Sequence, residues 1–183
     1  MAADVQAALT ALTRAESRTH VDPRQQLDLS GLHLVGARLK AADLTYVNMR
    51  GADLTGAYLS GATLTEANLI RATLTKATLF EATLTEADLA YATLAGANLR
   101  RADLTGAYLV KATLTGAKLG KATLTEAALK EATLTKAALP EATLTGADLS
   151  GATLTGADLS RAVTTGIVTD KRTRMPERWA PEA

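Results

Sequence analysis

Ala62-Thr63-Leu64-Thr65-Glu66 is one instance of a five-residue phrase, Ala-x-Leu-x-x, that runs without insertion or deletion from about Leu27 to Leu159. Counting the central apolar residue in steps of five from Leu29 to Leu159 gives 27 pentapeptides. Of their centres, 26 are Leu and the other is Met49. The residue two before each centre is Ala in 24 units, with Leu27, Leu32 and Val47 as the exceptions. A period of five suits neither regular element. On an α-helix each step of five turns through about 500°, so the leucines drift round the axis without forming a stripe. On a straight strand an odd step sends successive leucines to opposite faces. Both conflicts vanish if the chain turns a corner once per pentapeptide. Leu and the Ala two before it then point inward, as alternate residues of a short strand do, and the remaining positions point out. The pattern predicts a solenoid.

A second periodicity sets an even number of sides. Ala-Thr-Leu-Thr recurs at 62, 72, 82, 112, 122, 132, 142 and 152, with Ala-Thr-Leu-Ala at 92. Like pentapeptides therefore stand two sides apart. Together with Ala-Asp-Leu-Thr-Gly at 52–56 and Ala-Asn-Leu-Arg-Arg at 97–101, the array resembles the pentapeptide repeat family over roughly 27–161. That resemblance implies an all-β, right-handed quadrilateral parallel β-helix with four pentapeptides per coil. At about 4.8 Å per stacked coil, the 27 units then make just under seven coils, about 32 Å long. An array this regular also fits a consensus-like or engineered sequence.

Three segments follow. Residues 1–26 form an N-terminal cap and connection, 27–161 the solenoid, and 162–183 a capping tail. Within the first, 3–17 are predicted helical: Asp4 suits an N-cap, and Val5, Ala8, Leu9 and Leu12 share a face. Such a helix would cover the backbone edge of the first coil, which would otherwise invite edge-to-edge pairing. After Leu159 the phrase decays, with Thr164 at a Leu position and Ile167 at an Ala position. The tail carries the only tryptophan, Trp179, expected to fold over Leu159 or Ile167.

Aromatics make up only 3% of the chain, which agrees with an interior of Leu and Ala. There are no cysteines, so no disulfide or thiolate metal site can form. No apolar run approaches the length of a membrane span, and no signal-peptide core follows the N-terminus, so a cytoplasmic protein without membrane association is expected. A net charge of +1 does not point to direct nucleic-acid binding. No catalytic, cofactor or metal constellation is visible. The two histidines, His20 and His33, lie in the connection and the first repeat. The Asp residues before Leu (Asp43, Asp53, Asp88, Asp103, Asp148 and Asp158) are expected to be solvated, not gathered into a carboxylate centre.

The outward residues sort by side if each coil holds four pentapeptides. One side carries Asp43, Glu66, Glu86, Asp103 and Glu126 and no cation. The next carries Arg38, Lys40, Arg100, Arg101, Lys118, Lys121 and Arg161 against Glu81, Glu141 and Asp158, a net of +4. A third, nearly neutral side is expected to stack Ile70, Ala90 and Val110 on successive coils, near Tyr91 and Tyr108. The candidate partner contacts are thus Glu66, Glu86, Asp103 and Glu126 on the acidic side and Ile70, Tyr91, Tyr108 and Val110 on the apolar one. Thr-x-Thr rows occupy two opposite sides, beginning at Thr63/Thr65 and Thr73/Thr75. They are similar to the ladders of ice-binding β-solenoids, although Thr also suits exposed strands, and Lys76, Lys136 and the acidic corners interrupt the plane.

The leading expectation is a non-enzymatic scaffold that offers flat lateral faces to a protein partner, as a monomer or an end-to-end dimer. The resemblance adds an alternative, because some pentapeptide repeat proteins look like B-form DNA, bind DNA gyrase and protect it from inhibitors. A topoisomerase would then be the partner. This chain departs from that pattern: it lacks a strongly negative total, a loop interrupting the coils and a clear apolar dimerisation helix.

Overall fold

Each side of the winding is held to the next coil by a single parallel bridge. Asp28 pairs with Asn48, His33 with Asp53, Arg38 with Tyr58 and Asp43 with Thr63, and this spacing of twenty residues persists to Asp148 and Val168. The structure, a computed structural model that describes Leu9, residues 27–177 and Trp179, is a β-solenoid. With one corner per five residues, a register of twenty gives each coil four sides.

The backbone accounts for four of the five N–H groups in each unit of the inner coils. Around Leu44, its own N–H donates to Thr63 O at 2.7 Å and that of Tyr46 to Thr65 O at 3.0 Å, while Thr63 N–H returns to Ala42 O at 3.0 Å. The fourth closes the corner, from Val47 N–H to Leu44 O at 3.1 Å. This bond, with positive φ at the residue two past the centre, is the geometry of a type II turn. The left-handed φ recurs at every corner from Gly31 to Gly166, on twelve glycines and sixteen other residues. None of those sixteen is β-branched, as the steric cost of a branched Cβ at φ near +57° requires.

The fifth N–H, on the residue after the centre, faces outward, and Asp or Asn before the centre accepts it. Asp53 Oδ1 takes Thr55 N–H at 3.0 Å and Thr55 Oγ1–H at 2.6 Å. Asp43, Asp88, Asp103, Asp148 and Asp158 take the equivalent N–H at 3.0–3.1 Å, and Asn48, Asn68 and Asn98 at 3.2–3.3 Å. These aspartates, expected to be solvated, stay exposed or half-exposed. They are turn-closing acceptors, because a carboxylate two residues ahead of an unpaired N–H forms an Asx-turn without disturbing the coil.

The core is a double column. From Leu34 to Leu154 every centre is at most 2% exposed, and Val47 and Met49 fit at 0% in the places of Ala and Leu. Each buried Leu contributes about 1.5–3 kcal/mol. No buried side-chain nitrogen or oxygen among the described residues lacks a hydrogen bond. Leu32, where later units have Ala, is 45% exposed.

The two ends differ. The helix expected at 3–17 lies outside the described residues except for Leu9, which is helical, 4% exposed and part of the core cluster. At the other end the register gains one residue, so that Thr153 bridges to Arg174. The segment so lengthened supplies side chains where the next coil's backbone would stand. Asp170 Oδ1 accepts Gly151 N–H at 2.8 Å, and Thr173 Oγ1 donates to Leu149 O at 3.0 Å. Trp179 was expected over Leu159 or Ile167. The tail side chains packed on the core include Ala162, Ile167 and Met175, and Trp179 is half-buried with its N–H donated to Pro176 O at 3.0 Å.

Candidate interaction faces

The corner residues of each side stack in columns along the axis, and the columns decide what each face can do. On the acidic side Glu66, Glu86, Gly106 and Glu126 follow one another, and the three glutamates are exposed with no ion pair among the described residues. Gly106 sits against Glu86, where an added Cβ would meet Glu86 Cγ at 3.3 Å. Asp103, expected beside them as a contact, is half-buried and hydrogen-bonded within its turn. Its Oδ1 accepts Thr105 N–H at 3.0 Å and Thr105 Oγ1–H at 2.6 Å, and its Oδ2 accepts Thr85 Oγ1–H at 3.4 Å.

The basic side is partly neutralised along its own corner column. Arg101 pairs with Glu81 at 3.0 Å and lies 6.0 Å from the centre of the Phe80 ring, and Lys121 pairs with Glu141 at 3.4 Å. Exposed pairs of this kind contribute about 0–1 kcal/mol. Their effect is mainly to fix where the side chains point.

On the third side Ile70, Ala90 and Val110 stack as expected but are half-buried, while Tyr108 is 54% exposed. Tyr91 is a corner residue with φ of 60°. Its ring is not a bare apolar contact, because the Arg71 guanidinium and the Lys111 ammonium lie 5.8 and 5.7 Å from its centre. The column continues from Lys111 to Glu131 at 3.5 Å, from Glu131 to Arg172 at 3.6 Å and from Arg172 to Asp170 at 3.0 Å. It thus reaches the carboxylate that caps the last coil.

Several carboxyls are held below the usual value of 3.8. For Asp53 the Thr55 hydroxyl lowers it most, followed by the Thr55 N–H; for Asp158 the Ser160 N–H leads. At Asp170 partial burial works against ionisation. The bonds from Gly151, Arg172 and Thr173 outweigh it and bring the pKa down to about 2. Among the described residues, no group of three or more His, Asp or Glu stands where it could hold a metal ion, and no helix is long and apolar enough to cross a membrane.

The sequence profile of pentapeptide repeats matches residues 25–61, 57–90, 82–120 and 122–161. The chain belongs to the pentapeptide repeat family. Among solved structures it is similar to HetL from the cyanobacterium Nostoc sp. strain PCC 7120, a pentapeptide repeat protein involved in heterocyst differentiation regulation. That match has 32% identity, covers 78% of this chain and 85% of HetL, and has a TM-score of 0.33. It is also similar to Rfr23 from the cyanobacterium Cyanothece 51142, at 25% identity over 86% of this chain and 95% of the other, with a TM-score of 0.33. A third is QnrB1, a plasmid-mediated fluoroquinolone resistance protein, at 20% identity over 79% and 87%, with a TM-score of 0.42. No curated protein matches the chain in sequence.

In this pentapeptide repeat protein the Thr rows are regular to the bridge. Thr63 pairs with Thr83, Thr123 with Thr143, and Thr73, Thr93, Thr113, Thr133 and Thr153 pair in succession. The columns that sequence reading missed, Arg71–Tyr91–Lys111–Glu131 above all, carry a signal that could have revealed them: their members are twenty residues apart.

Proposed function

We propose that this pentapeptide repeat protein is a non-enzymatic interaction solenoid of about seven coils, whose flat lateral faces receive a macromolecular partner. The observation that carries the reading is the sorting of charge by side. Glu66, Glu86 and Glu126 stand exposed on one side, with no ion pair among the described residues, and Arg100 and Lys118 stand exposed on the next. Lateral faces that differ this much give a partner an orientation as well as a surface. A photo-crosslinking residue placed in turn at Thr125, Lys118, Tyr108 and Thr115 tests it in the native host. Adducts confined to one or two sides support the reading; no adducts, or the same adducts from all four, overturn it.

A gyrase-directed DNA mimic is the second reading, and the acidic column favours it. Magnitudes weigh against it. Duplex DNA carries about one charge per 1.7 Å, so a length of about 32 Å presents close to 19, with about half facing any one partner. The acidic side offers five carboxylates, and Asp103 is bound into its turn. The Debye length of about 8 Å lets cations round the corner weaken the field further. Purified gyrase should therefore go on supercoiling in the presence of this protein. Inhibition at low micromolar protein, abolished by Glu66→Lys with Glu86→Lys, would reverse the ranking.

A further inference from the structure

Of thirteen glycines in the chain, twelve occupy corners with left-handed φ. Gly120 does not. It follows the centre Leu119 on the basic side, in a column where the same place on other coils holds Lys40, Ser60, Phe80, Arg100, Pro140 and Ser160. Its backbone needs no glycine. An added Cβ would sit 3.4 Å from Pro140 Cγ, an ordinary contact. What the glycine does is leave room.

The room is a notch of about 350 Å³ cut into an otherwise flat face. Ala138, where Thr, Asp or Asn commonly stands, widens its floor, and Pro140 forms an apolar wall. Arg100 and Lys118 stand at its rim, exposed and without an ion pair among the described residues, while Lys121 at the edge is tied to Glu141. The notch is therefore apolar within and cationic around its mouth. Because it lies open on a lateral face, it can cover only one side of an occupant. Sites for free small molecules enclose most of the ligand. An open notch of this size fits a single side chain offered from a partner's surface, with charge at the rim selecting what flanks it.

We propose that the notch at Gly120 docks an acidic segment of a partner protein, which inserts an apolar side chain between Arg100 and Pro140 and sets its flanking carboxylates against Arg100 and Lys118. The proposal rests on the interaction reading given above and names the face and the chemistry of its partner.

The test uses the full chain and a short fluorescent peptide of alternating Glu and Phe, with Glu/Ser and Lys/Phe peptides as comparisons, read by fluorescence anisotropy at moderate salt. The Glu/Phe peptide should bind, and both comparison peptides should bind at least about tenfold more weakly. Gly120→Phe, which fills the notch at a position with ordinary φ, should weaken the Glu/Phe peptide by about tenfold or more. Arg100→Glu with Lys118→Glu, which touches no core residue, should do the same, and Thr115→Ala, exposed on another side, should leave binding unchanged. Thermal midpoints near that of the parent show that the variants are folded. Three results would each overturn the proposal: no binding of the Glu/Phe peptide at about millimolar concentration, equal binding of the Glu/Ser peptide, or binding indifferent to Gly120→Phe. Self-association of the chain that Gly120→Phe abolishes would instead assign the notch to a second copy, and would also overturn it. If the notch fails while face-specific cross-links persist elsewhere, the interaction reading stands without it.

Discussion

Glu66, Glu86 and Glu126 hold φ values of 53°, 56° and 57°, a region that an L-residue enters at a cost of about 1–2 kcal/mol. Corners occupied by glycine avoid that cost, and the two kinds of corner can be compared directly. At Gly51 an added Cβ meets nothing within 4 Å, so Gly51→Ala carries the backbone penalty alone and should destabilise by about 1 kcal/mol. At Gly151 the Cβ would lie 3.1 Å from Glu131 Cγ and 3.5 Å from an Arg172 guanidinium nitrogen. Gly151→Ala should therefore cost more than Gly51→Ala in urea denaturation, and a smaller loss at Gly151 would refute the role of that crowding. The inward positions answer to volume instead. Ala102 is 1% exposed between leucine columns, so Ala102→Leu overpacks the interior and should cost about 1–3 kcal/mol. Thr125, half-buried on the outer surface one past its centre, occupies a place that holds Ile70, Phe80 and Val110 on other sides. Thr125→Leu should leave the thermal midpoint within a degree or two of the parent, and equal losses from the two variants would contradict the observed register.

The pentapeptide is the unit in which these residues act, and its outward turn depends on one side-chain acceptor. Asp53→Ala frees the Thr55 N–H and hydroxyl, a loss on the order of 1 kcal/mol. Asp53→Asn should lose less, since Asn48, Asn68 and Asn98 already serve in the same place. The two also differ with acid. Asp53 has a lowered pKa when folded, so its ionisation stabilises the coil fully above the unfolded value near 3.8, and that contribution drains away as pH falls through the folded value. Thermal melts from pH 6 down to pH 2 should therefore show a shallower acid limb for Asp53→Asn than for the parent; parallel limbs would deny the carboxylate that role. The inward half of this unit was legible in the sequence because Leu and Ala repeat at fixed positions and burial follows type. The outward half was less so. Nothing in Asp-Leu-Thr marks the Asp as an acceptor until the turn leaves one N–H without a backbone partner, and nothing local links Arg71, Tyr91, Lys111 and Glu131, whose contacts arise only when coils stack. Gly120 was invisible for a related reason: its meaning lies in the absence of the corner φ that every other glycine has.

Because each coil bonds only to its neighbours, the molecule should tolerate loss of a whole turn. Deleting 82–101 removes twenty residues and rejoins Glu81 to Ala102 in unchanged phase. The shortened chain should fold cooperatively with a smaller denaturant slope, reduced roughly in proportion to the four units lost from 27. An unfolded or aggregated product would mean that the coils are not interchangeable. The same register has a consequence for how such a protein can change by descent. Duplication of a single phrase leaves every Ala and Leu inside, so the interior does not register the event. Outside, everything downstream advances by a quarter of a turn. Were five residues inserted after Lys111, Lys121 would stand below Gly106 in the column that now continues to Glu126, and Glu126 would take the place of Glu131 beside Lys111. One small genetic step would redraw the charge map of half the molecule while its folding instructions stayed intact, so a lineage built this way can change partners far faster than it can change shape.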